Sequence, residues 1–228
     1  MGQKKQIQII EDGLRLLGSP LDSSQMGRLK QHIKEIELFN DTYRLVNAKG
    51  TELAVKHVLD SLSVTALMKE LALKFGGRPR CADVGSGGGF PGIPLAIAMN
   101  ESSWSLIERS GKRAGFLENA IAVCNLYPRV RVINKDIKQV HEKFNIITFR
   151  AFASVGTIIK ELDTCLGDDG YICAYKGKIE PLLEELYDLG SVDGDDRKGT
   201  AGPYRYEIKP VNVPFLDAQR HVLLLQRR

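Results

Sequence analysis

Asp83, Glu108 and Asp136, together with the glycine run Gly85-Ser86-Gly87-Gly88-Gly89 and the Phe90 that ends it, are the residues of this chain whose types and spacing could do chemistry. Glycines at 85, 87 and 89 allow a sharp turn with positive φ and leave the backbone bare to an approaching ligand, while the helix that follows offers unpaired N–H groups at its start. Two nucleotide-binding fingerprints use such a turn, and neither fits. G-x-G-x-x-G, begun at Gly85, needs glycine where Phe90 stands, and no G-x-x-x-x-G-K-S/T follows. Asp83 also lies two residues ahead of Gly85, where a carboxylate would repel a pyrophosphate and attract a cationic, amine-bearing ligand.

The resulting D-x-G-x-G-x-G is the pattern of class I S-adenosylmethionine methyltransferases, and S-adenosylmethionine is the cofactor it predicts. Asp83, Gly85, Ser86, Gly87, Gly89 and Phe90 would form the cradle, a bare strand–helix turn without a ligand being the alternative. Glu108, ending the second apolar strand, is placed to accept from both ribose hydroxyls. Asp136, after the third, is placed to meet the adenine amino group, with an ordinary turn-forming Asp equally open. All three acids fall at the carboxyl ends of consecutive predicted strands, the edge at which open α/β sheets bind ligands. A nicotinamide oxidoreductase would use the same edge, and the missing third glycine weighs against it.

What is missing narrows the methyl acceptor. Amino-group methyltransferases carry an Asn/Asp/Ser-Pro-Pro-aromatic turn after the fourth strand, and Thr148-Phe-Arg-Ala-Phe-Ala153 stands there instead. Carbon-5 pyrimidine enzymes need a cysteine nucleophile, and Cys81, Cys124, Cys165 and Cys173 all lie away from that strand end. An acceptor atom that owns a lone pair and needs no activation fits better, guanine N7 among them.

The elements that must position these residues follow from apolar spacing. Helices are predicted over 3–17, 23–39 (capped by Ser23 or Ser24 and closed by Asn40-Asp41), 51–62 and 64–74. From residue 80 short apolar strands alternate with helices: strands at 80–84, 104–107, 130–134, 145–149 and 170–175, and helices at 91–99, 111–124, 154–166 and 179–189. Residues 191–203 read as a polar, Gly- and Asp-rich loop, and 204–211 with 221–226 as a closing antiparallel pair, since their connection is too short for a crossover helix. The expected architecture is α/β: a doubly wound, Rossmann-like sheet of about seven strands over 76–228, the last pair antiparallel, with a helical cap over 1–75.

The 228 residues, 43% of them hydrophobic, can bury one good core. The longest apolar runs are strand-sized, the first residues lack a secretory signal's apolar stretch, and Gly2 has no Ser or Thr at position 6 for myristoylation, so no membrane association is expected and the cytoplasm is the expected location. No C-x-x-C pair suggests a zinc site or a disulfide framework. A net charge of +4 and a pI near 8.8 are a mild basic bias, so any nucleic-acid surface must come from local clusters. Candidates are Arg78, Arg80, Lys112, Arg113, Arg129, Arg131, Lys176, Arg220, Arg227 and Arg228, with Phe90, Phe149 and Phe152 as candidate base-stacking rings.

The run Asp83-Val-Gly-Ser-Gly-Gly-Gly-Phe-Pro-Gly-Ile-Pro-Leu-Ala96, with Lys56-His-Val-Leu-Asp-Ser61 before it and Gly111-Lys-Arg113, Arg150-Ala-Phe-Ala153, Tyr175-Lys-Gly177 and Arg220-His221 after it, resembles the RsmG family, also called GidB. That family methylates guanine N7 in the 530 loop, at nucleotide 527, of bacterial 16S ribosomal RNA. The resemblance implies 16S rRNA or the small ribosomal subunit as partner and a seven-stranded methyltransferase sheet under an N-terminal helical cap; a monomer without a metal is the accompanying expectation. It implies that Asp83 to Gly89 and Glu108 line the cofactor, Glu108 standing where the family usually has Asp. Arg150, Lys176 and Arg220 would face the RNA, Arg150 also bordering the cofactor, with His57 and Asp60 supplied by the cap and Lys112-Arg113 beginning a helix. The family is not matched throughout: Phe149 stands where relatives often have serine, and Asp136-Ile-Lys replaces a frequent Arg-Ala-Glu. A non-catalytic ribosome-assembly factor on the same scaffold is the other reading.

Overall fold

The structure, a computed structural model, describes residues 2–150 and 153–228. The chain begins with α1 (Gly2–Leu16) and α2 (Ser23–Tyr43), which bury the apolar stripes that their spacing predicts, among them Ile10, Leu14, Leu29, Ile33 and Ile36. Asp22, rather than Ser23 or Ser24, caps α2: its carboxylate accepts from Gln25 N at 2.8 Å while the Gln25 side chain accepts from Asp22 N at 3.0 Å. The helix also runs past Asn40-Asp41. Asn40 turns its amide onto Val46, donating to its carbonyl and accepting from its N–H, so it shapes the next loop, and the left-handed break comes only at Arg44, with φ 50°.

A third helical stretch is interrupted in kind: α3 (Gly50–Leu53) widens into π-helical turns over Ala54–Leu59 and tightens again in α4 (Asp60–Leu62), before α5 (Thr65–Leu73). Such widened turns concentrate at functional sites, and this one carries His57. Gly13 of α1 lets the two pack closely, since a Cβ there would lie 2.5 Å from Leu59 Cδ1.

The sheet is built from five parallel strands, β1 (Arg80–Val84), β2 (Ser103–Ile107), β3 (Val130–Ile133), β4 (Phe144–Arg150) and β5 (Leu166–Lys176), in the order β3-β2-β1-β4-β5. The strand order reverses between β1 and β4, so a crevice opens outside their carboxyl ends. On one face, α6 (Gly92–Ala98) and α7 (Gly111–Val123) join the N-terminal helices in a single apolar cluster that includes Leu29, Ile33, Leu59 and Met68 with Ile93, Trp104 and Leu117. On the other, α8 (Val155–Cys165) and α9 (Ile179–Tyr187) cover Ile147, Phe149 and Ile172.

Among the described residues the sheet has nine strands rather than about seven. The stretch 191–203, read as a loop, folds into β6 (Val192–Gly194) and β7 (Lys198–Ala201), an antiparallel hairpin at the sheet's edge. Its polar composition reflects an exposed edge, where charge discourages pairing with other chains. Glycine allows the close approach of its strands, because a Cβ at Gly199 would lie 2.2 Å from Asp193 O. β8 (Tyr204–Pro210) and β9 (His221–Arg227) are antiparallel as expected, with β9 inserted between β5 and β8. Because β9 runs against β5, with His221 opposite Lys176, its first residues reach the carboxyl edge of the parallel strands and Arg227 lies at the far end.

Candidate functional site

β1 delivers Asp83 to the reversal point with no exposed surface. Its Oδ2 accepts from Gly92 N, the first residue of α6, at 3.1 Å, and Thr148 Oγ1, opposite it in the β1–β4 register, lies 3.4 Å from Oδ1. Burial pushes the carboxyl up to about 7. Above it the chain turns through Gly85, Gly87 and Gly89 at φ 71°, 54° and 86°, values that disfavour any residue with a Cβ. Ser86 faces inward, closing the turn by donating from Oγ to Asp83 O at 2.8 Å. The space over Gly87 is open, a Cβ there meeting only Gly85 O at 3.8 Å.

Gly92 has a part the sequence did not reveal. A Cβ on it would stand 2.7 Å from Asp83 Oδ2 and 2.6 Å from Leu106 Cδ2. Gly92→Ala should therefore pry α6 from β1 and cost about 1–3 kcal/mol of stability, read as a lower urea midpoint.

Glu108, 5% exposed, directly follows β2 and spans the site: Oε2 accepts from Gly87 N at 3.0 Å and Oε1 from Ser110 N at 2.8 Å. Each oxygen keeps a second lone pair for a ligand hydroxyl. The acid borders a cleft of about 290 Å³ lined also by Gly85, Arg109, Asp136, Ile137 and Arg150. Asp136 caps a short helical turn through Lys138 N at 3.1 Å, as a turn-forming Asp does, and it also lines this cleft.

Beyond Arg150 lies a second pocket of about 530 Å³, bounded by Lys56, His57, Asp60, Tyr175, Lys176 and Arg220. Asp60 organises it. Arg150 Nη1 donates to its Oδ2 at 2.7 Å and Arg220 Nε to its Oδ1 at 3.0 Å, the Asp60 side chain being 4% exposed. Arg150 Nη2 also donates to His57 Nδ1 at 2.8 Å. Burial, and then the neighbouring Arg150 charge, push His57 down to about 4, so the ring is neutral and free to accept there. Tyr175 donates its hydroxyl to Ser61 O at 2.9 Å. The structure thus brings His57, Arg150 and Arg220 to one pocket, Asp60 joining the two arginines and Arg150 reaching His57.

Lys176 reaches the same pocket, yet its ammonium is held by Glu185 of α9 at 2.6 Å, and the same oxygen accepts from Val155 N at 2.7 Å. Nothing in the local sequence marks Glu185, because the pairing is made only when α9 folds back on β5. Phe90 and Phe149, 5% and 1% exposed, pack inside and offer no face to a base; Phe152 lies outside the described residues.

The basic candidates divide by sheet edge. Lys112 and Arg113, beginning α7, and Arg220 lie on the cleft side, Arg113 lining the cleft itself. Arg78, Arg80, Arg129 and Arg131 sit at the amino ends of β1 and β3, and Arg227 and Arg228 at the end of the reversed β9, all on the far edge. Most are engaged there: Arg78 with Glu101, Arg80 and Arg131 with Glu142, Arg129 with the Ser102 carbonyl, and Arg227 with Asp163. Among the described residues no cluster of three His, Cys, Asp or Glu side chains could hold a metal ion, and no helix is long and apolar enough to cross a membrane.

Residues 25–188 match the family described as GidB, rRNA small subunit methyltransferase G. The chain is 35% identical over 217 residues to a ribosomal RNA small subunit methyltransferase G of Chromobacterium violaceum, covering 94% of each chain. It is 33% identical over 225 residues to one of Acinetobacter baumannii, covering 96% of this chain and 97% of that one. Among solved structures, the magnesium protoporphyrin IX methyltransferase of Synechocystis PCC 6803 with bound SAM shares the fold, with a TM-score of 0.56 and 14% identity over 92% of this chain and 99% of that one. On the family match and these identities, the chain belongs to the GidB family of rRNA small subunit methyltransferases G.

Proposed function

We propose that this protein transfers a methyl group from S-adenosylmethionine to N7 of a guanine in the 530 loop, at nucleotide 527, of bacterial 16S rRNA. One observation carries the choice of acceptor: the titratable groups of the pocket beyond Arg150 are already engaged. His57 Nδ1 accepts from Arg150, Asp60 from two arginines, and Lys176 is paired with Glu185. A pocket whose Asp60 is ion-paired with two guanidiniums and whose His57 already accepts from Arg150 offers only weak bases, which suits an acceptor with no proton to lose, and N7 of guanine carries only a lone pair.

The cofactor supplies an electrophilic methyl on a sulfonium centre. The residues fit it: open backbone over Gly87, free lone pairs on Glu108 for the ribose, Asp136 on the adenine side, and the Asp83 carboxylate beneath the turn as a counter-charge. Arg150 borders both cavities and so divides the cofactor from the base. Arg150, Asp60 and Arg220 together leave one net positive charge at the mouth, which draws an RNA phosphate. N7 must stay free, so a guanidinium can donate to O6 alone, and Arg220 has unused N–H groups for it.

The test is transfer of labelled methyl to small-subunit particles and to naked 16S rRNA, with the modified base mapped. Label at a single N7 in the 530 loop is expected. Label on an exocyclic amine or outside that loop would overturn the acceptor assignment, and RNA binding without transfer would favour a scaffold role.

A further inference from the structure

We infer that His32 of α2 is a positioning residue for the cofactor-binding turn, an inference that rests on S-adenosylmethionine binding over that turn. His32 has no exposed surface, and its Nε2 lies 2.9 Å from Gly88 O. Burial pushes its pKa down to about 4, so the ring is neutral and Nε2 carries the hydrogen donated to that carbonyl. Nδ1 is then a buried acceptor with no partner. An aliphatic side chain would satisfy this apolar helix face without that cost, so packing alone gives no reason for a histidine here.

The reason lies in the turn. Gly87 N is held from the sheet side by Glu108, and Gly88 O from the helix side by His32, so the 87–88 segment is clamped from both sides. α2 sits flush against it: a Cβ at Gly88 would lie 3.0 Å from Ile36 Cδ1, and one at Gly89 3.2 Å from His32 Nε2. The His32 ring also touches Phe90 at 4.9 Å between centroids, and Phe90 in turn meets His57 at 5.3 Å and lies under the Arg150 guanidinium at 5.8 Å. One buried imidazole therefore ties α2 to the open backbone over which the cofactor lies, and through Phe90 to the second pocket.

The full chain carrying His32→Leu, His32→Gln or His32→Asn tests this by calorimetric titration with S-adenosylmethionine, with KM and kcat in the methyl-transfer assay. His32→Leu should raise the cofactor dissociation constant about tenfold, the loss falling on KM for the cofactor rather than on kcat. Gln can reach Gly88 O with its amide and should stay within about threefold of the parent, whereas the shorter Asn should lose as Leu does. If Leu fails to fold, the Gln–Asn pair still decides. Unchanged affinity in Leu or Asn, whatever the melting temperature, overturns the inference, as does equal loss in Gln and Leu. Should the parent protein bind no S-adenosylmethionine, the functional reading falls by itself. Hydrogen exchange at the Gly89 amide, which donates to Ser86 O, would still report on the clamp, and should speed up in Leu and not in Gln.

Discussion

Asp60→Ala should lower stability by about 3–5 kcal/mol, seen as a shift of the urea midpoint, and should reduce kcat/KM for RNA about a hundredfold. Asp60 is 4% exposed, and its partners Arg150 and Arg220 are 16% and 29% exposed at their side chains. Removing the shared carboxylate leaves two guanidiniums facing each other in a half-dry pocket, which costs more than the lost hydrogen bonds. It also frees Arg150 to swing from the wall between the cavities. Asp60→Asn keeps one acceptor and should fall between the two. A midpoint and a rate like those of the parent would show that the two arginines are aligned by something other than Asp60.

Asp83→Asn should weaken S-adenosylmethionine binding about a hundredfold at pH 8 while raising the melting temperature of the cofactor-free protein by about 2–4 °C or more. The two effects share a cause. With its pKa raised from 3.8 to about 7 by burial, Asp83 contributes stability that is fully present below pH 3.8 and lost as pH rises through about 7. Above that point the free protein holds a buried, ionised carboxylate whose contacts with Gly92 N, Thr148 and Ser86 and the Arg150 charge do not offset its desolvation, and a bound cation relieves the cost. Cofactor affinity in the parent should accordingly fall about tenfold per pH unit below 7, as Asp83 takes up its proton, and Asn at 83 should abolish that slope. Titration at pH 6, 7 and 8 checks both statements. A parent affinity flat across that range would remove Asp83 from cofactor binding and leave it as the latch between β1 and α6.

Much of the site was legible because its logic is local. The positive φ angles at Gly85, Gly87 and Gly89, and the placement of Asp83, Glu108 and Asp136 at strand ends, depend on residues within one strand–turn–helix unit, where periodicity and turn chemistry are informative. The hairpin at 191–203 resembles a loop in sequence for a related reason: edge strands are polar, and polar Gly-rich composition does not distinguish an edge strand from a loop.

By itself, then, the sequence determined the alternation of strands and helices and the glycine turn with an acid two residues ahead of it. The tertiary structure alone decided which charges act. Insertion of β9 antiparallel beside β5 carries Arg220 to Asp60, 160 positions away, and sends Arg227 to the opposite edge. The fold of α9 neutralises Lys176 with Glu185, and the seating of α2 brings His32 onto Gly88. Electrostatic and hydrogen-bond roles depend on distances of about 3 Å between residues far apart in the chain. Side-chain type and local spacing carry no record of those distances until the strand order is set.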